Sequence, residues 1–176
     1  MKIRLSNPLQ SDSIVDGEGI RTVIWTQGCP HHCKGCHNPE THSFNGGFLK
    51  DTEELIEEIK KLELQDGITF SGGDPMMQVD ACIEIAKACK EMGYNIWCYT
   101  GFTFEEVLND PKKREFLNYI DVLVDGKFEL DKKSYDAIFR GSTNQRLINV
   151  KNSLKKGRCV TIKKYKKKEP ITINLF

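Results

Sequence analysis

The sequence predicts an α/β protein: an open, curved and mostly parallel sheet that forms a partial (β/α) barrel. Short runs rich in β-branched and aromatic residues alternate with stretches of helical periodicity. Each such strand returns through a crossover helix, which makes neighbouring strands parallel. With 176 residues, the chain can supply only part of a closed eight-fold barrel, which needs about 250 residues.

The first predicted strand covers residues 20–27 and runs into a loop at Gly28. A helix follows, and its expected start is Asp51, which forms a capping-box pattern with Glu54. Apolar residues then recur at helical spacing, which gives this helix one buried face.

Later segments repeat the alternation. Five further runs have the composition of strands: residues 67–71, 95–100, 121–125, 146–150 and 159–162. Helices are expected after Pro75 and after Thr103, and the second of them is interrupted at Pro111. Because the carboxyl ends of parallel strands meet at one edge of a sheet, we expect the chemistry in the loops at that edge.

Composition and charge exclude several classes of protein. Apolar residues make up 39% of the chain and charged residues 29%, so no large disordered fraction is expected. The net charge of +1 argues against a general nucleic-acid or membrane coat. The sequence has no signal-peptide core and no window of about 18 apolar residues. We therefore expect a cytoplasmic protein with no membrane association.

The chain is expected to form a single domain over residues 1–162, followed by a basic tail or edge strand over residues 163–176. The lysine-rich run that opens this tail is typical of a solvated segment. Such runs can dock polyanions, but nucleic-acid binding is not the expected function.

Three of the seven cysteines, Cys29, Cys33 and Cys36, form a C-x3-C-x2-C motif. Closely spaced thiolates repel one another unless a cation shares their charge, and soft sulfur ligands favour iron–sulfur clusters or zinc. Three ligands on a four-iron cube leave one iron open to a small molecule. The motif alone also permits a zinc site completed by a nearby histidine, or a dithiol redox pair of Cys33 and Cys36.

The remaining cysteines lie in helix-like or strand-like runs and are expected to be small buried hydrophobic residues. They are Cys82, Cys89, Cys98 and Cys159.

Three further motifs accompany the cysteines. Residues 16–21 read Asp-Gly-Glu-Gly-Ile-Arg, residues 72–75 read Gly-Gly-Asp-Pro, and residues 140–146 read Arg-Gly-Ser-Thr-Asn-Gln-Arg. Together with the cysteine motif, which ends in Cys36, His37 and Asn38, they make the chain resemble the radical S-adenosylmethionine superfamily. Within it, the chain is similar to the activating enzymes of anaerobic ribonucleoside-triphosphate reductase. A zinc module gives no reason for the three additional motifs.

The resemblance implies one [4Fe–4S] cluster on Cys29, Cys33 and Cys36, which are then both the metal ligands and the catalytic residues. It also implies that S-adenosylmethionine chelates the open iron. The implied neighbours of this cofactor are Gly35, Cys36, His37, Asn38, Gly72, Gly73, Asp74, Thr100, Asp125 and Lys127. The chain departs from the superfamily pattern at Asp74, where glutamate is common, and at Gly35, where an aromatic residue is usual.

Several implied contacts have a plainer alternative. The pair Gly72-Gly73 lets the backbone approach the cofactor ammonium, but a strand-to-helix turn needs the same residues. Lys127 is suited to the cofactor carboxylate and equally to a solvated loop. Thr100 is a candidate for a ribose hydroxyl or for a turn cap.

The resemblance places Asp16 and Arg21 at the loop of the protein substrate. The planar fork of Arg21 can grip backbone carbonyl groups, and a local salt bridge is the alternative. Asn144 and Arg146 belong to a shared motif for which no chemical role is predicted.

The resemblance implies reductive cleavage of S-adenosylmethionine to a 5′-deoxyadenosyl radical, which generates a glycyl radical on anaerobic (class III) ribonucleoside-triphosphate reductase. Since the chain has no second cysteine cluster, an external electron donor such as flavodoxin or ferredoxin is expected. The alternatives are a radical enzyme acting on another glycyl-radical enzyme or on a small molecule such as a deazapurine precursor, and a zinc-stabilised binding module.

Overall fold

The structure, a computed structural model, describes residues 1–165. In this part of the chain the strands are β1 (Lys2–Leu5), β2 (Gln10–Ser13), β3 (Arg21–Thr26), β4 (Phe48–Asp51), β5 (Gly67–Gly72), β6 (Asn95–Tyr99), β7 (Val122–Asp125) and β8 (Arg146–Asn149). The α-helices are α1 (Thr52–Lys60), α2 (Val79–Glu91), α3 (Phe104–Asn109), α4 (Pro111–Leu117) and α5 (Val150–Lys156).

The eight strands form one open sheet in the order β4-β1-β3-β5-β6-β7-β8, with β2 also paired to β3. Its centre, from β3 through β5 and β6 to β7, is parallel. The outer strands β1, β2, β4 and β8 pair antiparallel. This confirms the predicted α/β class and the open sheet with a parallel centre.

Three of the antiparallel strands, β1, β2 and β4, were not predicted. Each has only four residues, and β2 (Gln-Ser-Asp-Ser) shows no apolar alternation. Such strands form because a neighbouring strand offers unpaired backbone groups, which local sequence does not reveal.

The strand predicted at residues 159–162 was wrong. This segment makes one isolated bridge, between Ile148 and Thr161, beside β8. Gly157 ends α5 in a left-handed conformation, with φ of 64°, and the chain then follows β8 for too few residues to form a ladder.

The predicted helix starts had mixed outcomes. Thr103 and Glu106 form a complete capping box at the start of α3. At α1, Asp51 is the first flanking residue but its side chain makes no capping hydrogen bond. The predicted capping box there was wrong, because the carboxylate of Asp51 accepts a hydrogen bond from the ammonium of Lys2 at 3.2 Å instead.

The two faces of the sheet differ in what covers them. On β6, Ile96 and Cys98 pack into the large core that the helices share, as do Cys82 and Cys89 of α2. The alternate residues, such as Trp97, pack in a smaller cluster to which none of the α-helices of residues 1–165 contributes. This second face leaves space for the cavities described below.

No helix among residues 1–165 is long and apolar enough to cross a membrane. The first residues of the predicted tail, Lys163–Tyr165, form a short 3-10 helix. The rest of the predicted tail lies outside the described residues.

Candidate functional site

The loop after β3 carries the cysteine motif. Its base is held by backbone hydrogen bonds, from Gly28 N–H to the Thr41 carbonyl at 2.8 Å and from Cys29 N–H to the His42 carbonyl at 3.1 Å. Between these points Cys36 N–H donates to the Cys33 carbonyl at 3.1 Å and closes a turn. The end of the loop is therefore tied to its start, directly after β3.

All three motif cysteines line one cavity of about 120 Å³. The same cavity is lined by residues at the ends of the neighbouring parallel strands: Gly72, the last residue of β5, with Gly73, then Thr100 after β6 and Gly126 after β7. The carboxyl ends of four parallel strands thus converge on the thiols, as the strand order predicts.

Burial changes the pKa values of these thiols. Burial, together with smaller contributions from Asp74, Cys33 and Cys36, raises the pKa of the Cys29 thiol to about 11. Burial also raises the pKa of Cys33, against a lowering by the charge of Lys127. Thiolates are the ligands that metals bind, so metal binding must release these protons.

This donor set fits an iron–sulfur cluster. Among residues 1–165 no group of three or more His, Cys, Asp or Glu side chains converges closely enough to hold a single metal ion. A four-iron cluster does not need such convergence, because each cysteine binds its own iron. Three cysteines on one cavity would leave one iron without a protein ligand.

Asp74, a predicted cofactor neighbour, is fully buried. Its carboxylate accepts hydrogen bonds from the Thr100 hydroxyl at 2.9 Å, from Gly101 N–H at 3.0 Å and from Met76 N–H at 3.0 Å. It is also hydrogen-bonded to Nε2 of His31 at 2.7 Å. The hydrogen-bond partners of the Asp74 carboxylate in this structure are therefore groups of the protein itself.

His31 is a residue that the sequence analysis missed except as a possible zinc ligand. Its side chain is only 6% exposed and its ring packs edge-on against Phe102, with 4.5 Å between ring centroids. Through Asp74, His31 joins the cysteine loop to the end of β5. Its position between Cys29 and Cys33 was the signal available in the sequence.

Thr100 has its hydroxyl committed within the protein, because that oxygen also accepts a hydrogen bond from Phe102 N–H at 3.2 Å. The structure thus shows the turn-capping arrangement that the sequence analysis gave as the alternative.

The glycine pair allows close packing between strands. A Cβ atom at Gly73 would lie 2.4 Å from the carbonyl oxygen of Gly28, and one at Gly72 would lie 2.4 Å from that of Thr26. Gly73 N–H donates to Thr26 O at 2.7 Å, and Asp74 N–H donates to Gly28 O at 2.8 Å. The pair therefore holds the end of β5 against the root of the cysteine loop and lines the cavity as well.

Asp125 is buried and bound within the protein. Its carboxylate accepts hydrogen bonds from Phe104 N–H at 2.7 Å and from Arg146 Nη2 at 2.6 Å. Arg146 in turn pairs with Glu105 at 2.7 Å. This assigns a local role to Arg146, for which the sequence predicted none: it links the end of β7 to α3.

Lys127 differs from the buried carboxylates. It is exposed, and its positive charge lowers the pKa of Cys33. Its backbone carbonyl accepts a hydrogen bond from Nδ2 of Asn144 at 2.8 Å. Asn144 therefore supports the loop that presents Lys127.

A second cavity, of about 480 Å³, adjoins the first. Both are lined by Ser71, Tyr99, Phe128 and Gln145. The predicted residues His37, Asn38 and Asp16 line the larger one. His37 packs against Phe128, with 4.9 Å between ring centroids.

Gly35, the last of the predicted cofactor neighbours, does not line either cavity. A Cβ atom there would lie 2.8 Å from Cδ1 of Leu130, so the glycine lets the cysteine loop pack against that side chain.

Arg21 is not brought to these cavities. It begins β3, about 16 Å from the end of that strand at 3.3 Å per residue. Its side chain is buried, and its guanidinium makes five hydrogen bonds, to Thr69, Glu18, Ile68 and twice to Asn95. The predicted grip of Arg21 on a substrate loop therefore has no geometric support, since its donors are already used within the protein.

Replacing Arg21 by glutamine should lower the free energy of unfolding by about 2–4 kcal/mol, because the carbonyl groups of Ile68 and Asn95 lose a charged donor. Chemical denaturation under anaerobic conditions measures this effect. The exposed Arg158 is the control, with an expected change below about 0.5 kcal/mol on Arg158→Gln. A stable Arg21→Gln variant with weakened substrate binding would contradict the structural role.

The fold and the three-cysteine cavity define a single-cluster iron–sulfur protein. Residues 15–148 match the family of 4Fe–4S single cluster domains. This match supports the predicted cluster over the zinc and dithiol alternatives.

Curated relatives are more specific. The anaerobic ribonucleoside-triphosphate reductase-activating protein of Pasteurella multocida is 35% identical over 142 residues, which cover 75% of this chain and 89% of that protein. The protein of the same name from Escherichia coli is 35% identical over 140 residues (75% and 90%). That of Enterobacteria phage T4 is 36% identical over 141 residues (76% and 86%). The chain belongs to this family of activating proteins, which confirms the predicted resemblance.

Among solved structures, QueE from Escherichia coli aligns with a TM-score of 0.49 and 14% identity, over 58% of this chain and 53% of that one.

Proposed function

We propose that this protein is a radical S-adenosylmethionine activase that generates the glycyl radical of anaerobic ribonucleoside-triphosphate reductase. One observation supports it most: the three motif cysteines and the Gly72-Gly73 pair line one cavity, and a cavity of about 480 Å³ adjoins it. The first has the residues for a cluster and its cofactor. The second has room for a segment of a protein substrate.

In this proposal Cys29, Cys33 and Cys36 hold a [4Fe–4S] cluster with one iron left for S-adenosylmethionine. When bound, the two supply a one-electron cleavage of the sulfonium and hence an organic radical that takes a hydrogen atom from glycine. The protein contributes binding, orientation and exclusion of water around them.

The residues of the chain divide into two groups in this role. Lys127, which is exposed and whose charge lowers the pKa of Cys33, attracts the carboxylate of the cofactor, and the backbone of Gly72 and Gly73 accepts its ammonium. Asp74, Thr100 and Asp125 act instead as positioning residues, because their side chains are bound to other parts of the protein. His37 and Asn38 line the second cavity.

We further propose that the open sheet curves into a partial barrel around both cavities, within one domain over residues 1–162 and with a tail over 163–176. An external flavodoxin or ferredoxin supplies the electron, since the cysteines outside the motif are isolated in the sequence. A reducing cytoplasm suits the seven free thiols.

Anaerobic reconstitution with iron and sulfide should yield a brown protein that releases 5′-deoxyadenosine from S-adenosylmethionine on reduction. After mixing with the reductase, electron paramagnetic resonance should show a glycyl doublet. Protein loaded with zinc alone is the control and should give neither signal.

Each other outcome rejects part of the proposal. Nucleoside release without a glycyl radical would indicate a radical enzyme with another substrate. Stable zinc binding without cluster formation would indicate a binding module.

A further inference from the structure

We propose that Arg140 binds a backbone carbonyl oxygen of the reductase segment that bears the reactive glycine, inside the cavity of about 480 Å³. This inference rests on the proposed function and deepens it, because it names a binding residue for the protein substrate. It takes the role that the sequence analysis gave to Arg21.

The position of the cavity of about 480 Å³ suits a segment of the reductase. It shares Ser71, Tyr99, Phe128 and Gln145 with the cavity of the cysteines, so a segment inside it lies directly beside the proposed cluster. Its volume falls within the range of about 300–1,000 Å³ that is common for ligand sites.

Arg140 lines this cavity with donors to spare. Its Nη1 donates to the Gln145 carbonyl at 3.0 Å, whereas its buried Nε has no hydrogen-bond partner among the described residues. It forms no ion pair within residues 1–165. The guanidinium therefore keeps N–H groups that no described residue uses, and because Arg140 lines the cavity these donors are available to an acceptor on a bound molecule.

The backbone that presents Arg140 is strained and firmly held. Phe139 has φ of 57°, which is rare for a bulky residue. Its carbonyl accepts a hydrogen bond from the Tyr99 hydroxyl at 2.9 Å, and its ring packs against Trp97 with 5.2 Å between ring centroids. On the C-terminal side of Arg140, the Gln145 side chain accepts a hydrogen bond from Gly141 N–H at 2.9 Å. Such strain persists where surrounding contacts over-determine it, commonly at functional sites.

Asp16 completes a site for a peptide group. It lines the same cavity, and its carboxylate can accept a backbone N–H while Arg140 donates to a carbonyl. Val15, which is 70% exposed, also borders the cavity and offers apolar surface to a protein partner.

The geometry indicates that the oxygen atom bound by Arg140 belongs to a peptide and not to the carboxylate of S-adenosylmethionine. Arg140 does not line the cavity of the cysteines, where S-adenosylmethionine is proposed to bind.

The test uses the reconstituted full chain with Arg140→Gln and Arg140→Lys, and the exposed Arg158 is replaced by glutamine as a matched control. We expect Arg140→Gln to raise the KM for the reductase roughly 10- to 100-fold, the effect of one charged hydrogen bond. The dissociation constant for S-adenosylmethionine and the iron content should stay within about twofold of the wild type, because Arg140 does not line the cavity of the cysteines. Arg140→Lys, which keeps the charge but loses the planar fork, should raise the KM less.

Two results would overturn the inference. An unchanged KM in both Arg140 variants would remove Arg140 from the substrate site, and Arg140→Lys decides the matter if Arg140→Gln does not fold. A parallel loss of S-adenosylmethionine affinity would assign Arg140 to the cofactor carboxylate instead. Failure of the proposed function is distinguishable, because the wild-type protein would then form no glycyl radical.

Discussion

Replacing Cys33 by alanine should abolish cluster formation and glycyl-radical generation. Cys33 lines the cavity with Cys29 and Cys36, and without it a second iron loses its protein ligand. Mutation of a residue that only hydrogen-bonds to a metal ligand typically lowers metal affinity or activity by about 10–100-fold. Loss of a direct ligand should therefore lower cluster binding and activity by more than about 100-fold. Iron content, visible absorption and the glycyl doublet measure the effect.

Cys159 provides a matched control. Like Cys33 it is a free and partly exposed thiol, but it lies outside the motif. Cys159→Ala should keep its iron and its activity, and Cys33→Ala should unfold at the same temperature as the wild-type protein when both are free of iron. A Cys33→Ala variant with a full cluster would refute the assigned ligand set.

The second large effect is expected at Asp74. Replacing it by alanine leaves Gly101 N–H, Met76 N–H and the Thr100 hydroxyl without their buried acceptor. Loss of one partner from a buried charged network costs about 3–5 kcal/mol, so the free energy of unfolding should fall by that amount. Chemical denaturation of the anaerobic protein measures it.

The exposed Asp80 pairs with Lys112 at 2.8 Å on the surface and serves as the control, because such pairs contribute at most about 1 kcal/mol. The effect of Asp74→Ala should also be non-additive with that of His31→Gln, since the two side chains share a hydrogen bond of 2.7 Å. Equal costs for Asp74→Ala and Asp80→Ala would show that the buried network does not stabilise the site.

The structure gives the loops at the carboxyl edge two tasks. Asp74, Asp125 and Gln145 make hydrogen bonds between successive loops. Asp16 and Arg140 line the larger cavity, and Lys127 is exposed. Hydrogen bonds within the protein thus account for the burial of Asp74 and Asp125 at this edge of the sheet.

The sequence predicted the central fold well where its signals were local and strong. The runs at β3, β5, β6 and β7 are apolar and β-branched, and the turn residues that follow them have defined backbone preferences. The capping box at Thr103 was predicted for the same reason. The short strands β1, β2 and β4 were not, because their pairing depends on distant neighbours.

By itself, the sequence determined the family and the strand ends that surround Cys29, Cys33 and Cys36, and it predicted these cysteines as ligands, since each of these depends on residue type and spacing within short segments. Only the tertiary structure decided which polar side chains are free to bind something else. Asp74 meets His31 across 43 positions of sequence, and Arg21 meets Asn95 across 74. Hydrogen-bond partners so far apart are set by how strands and loops pack, and this is why Arg21 is committed to the fold while Arg140 remains available.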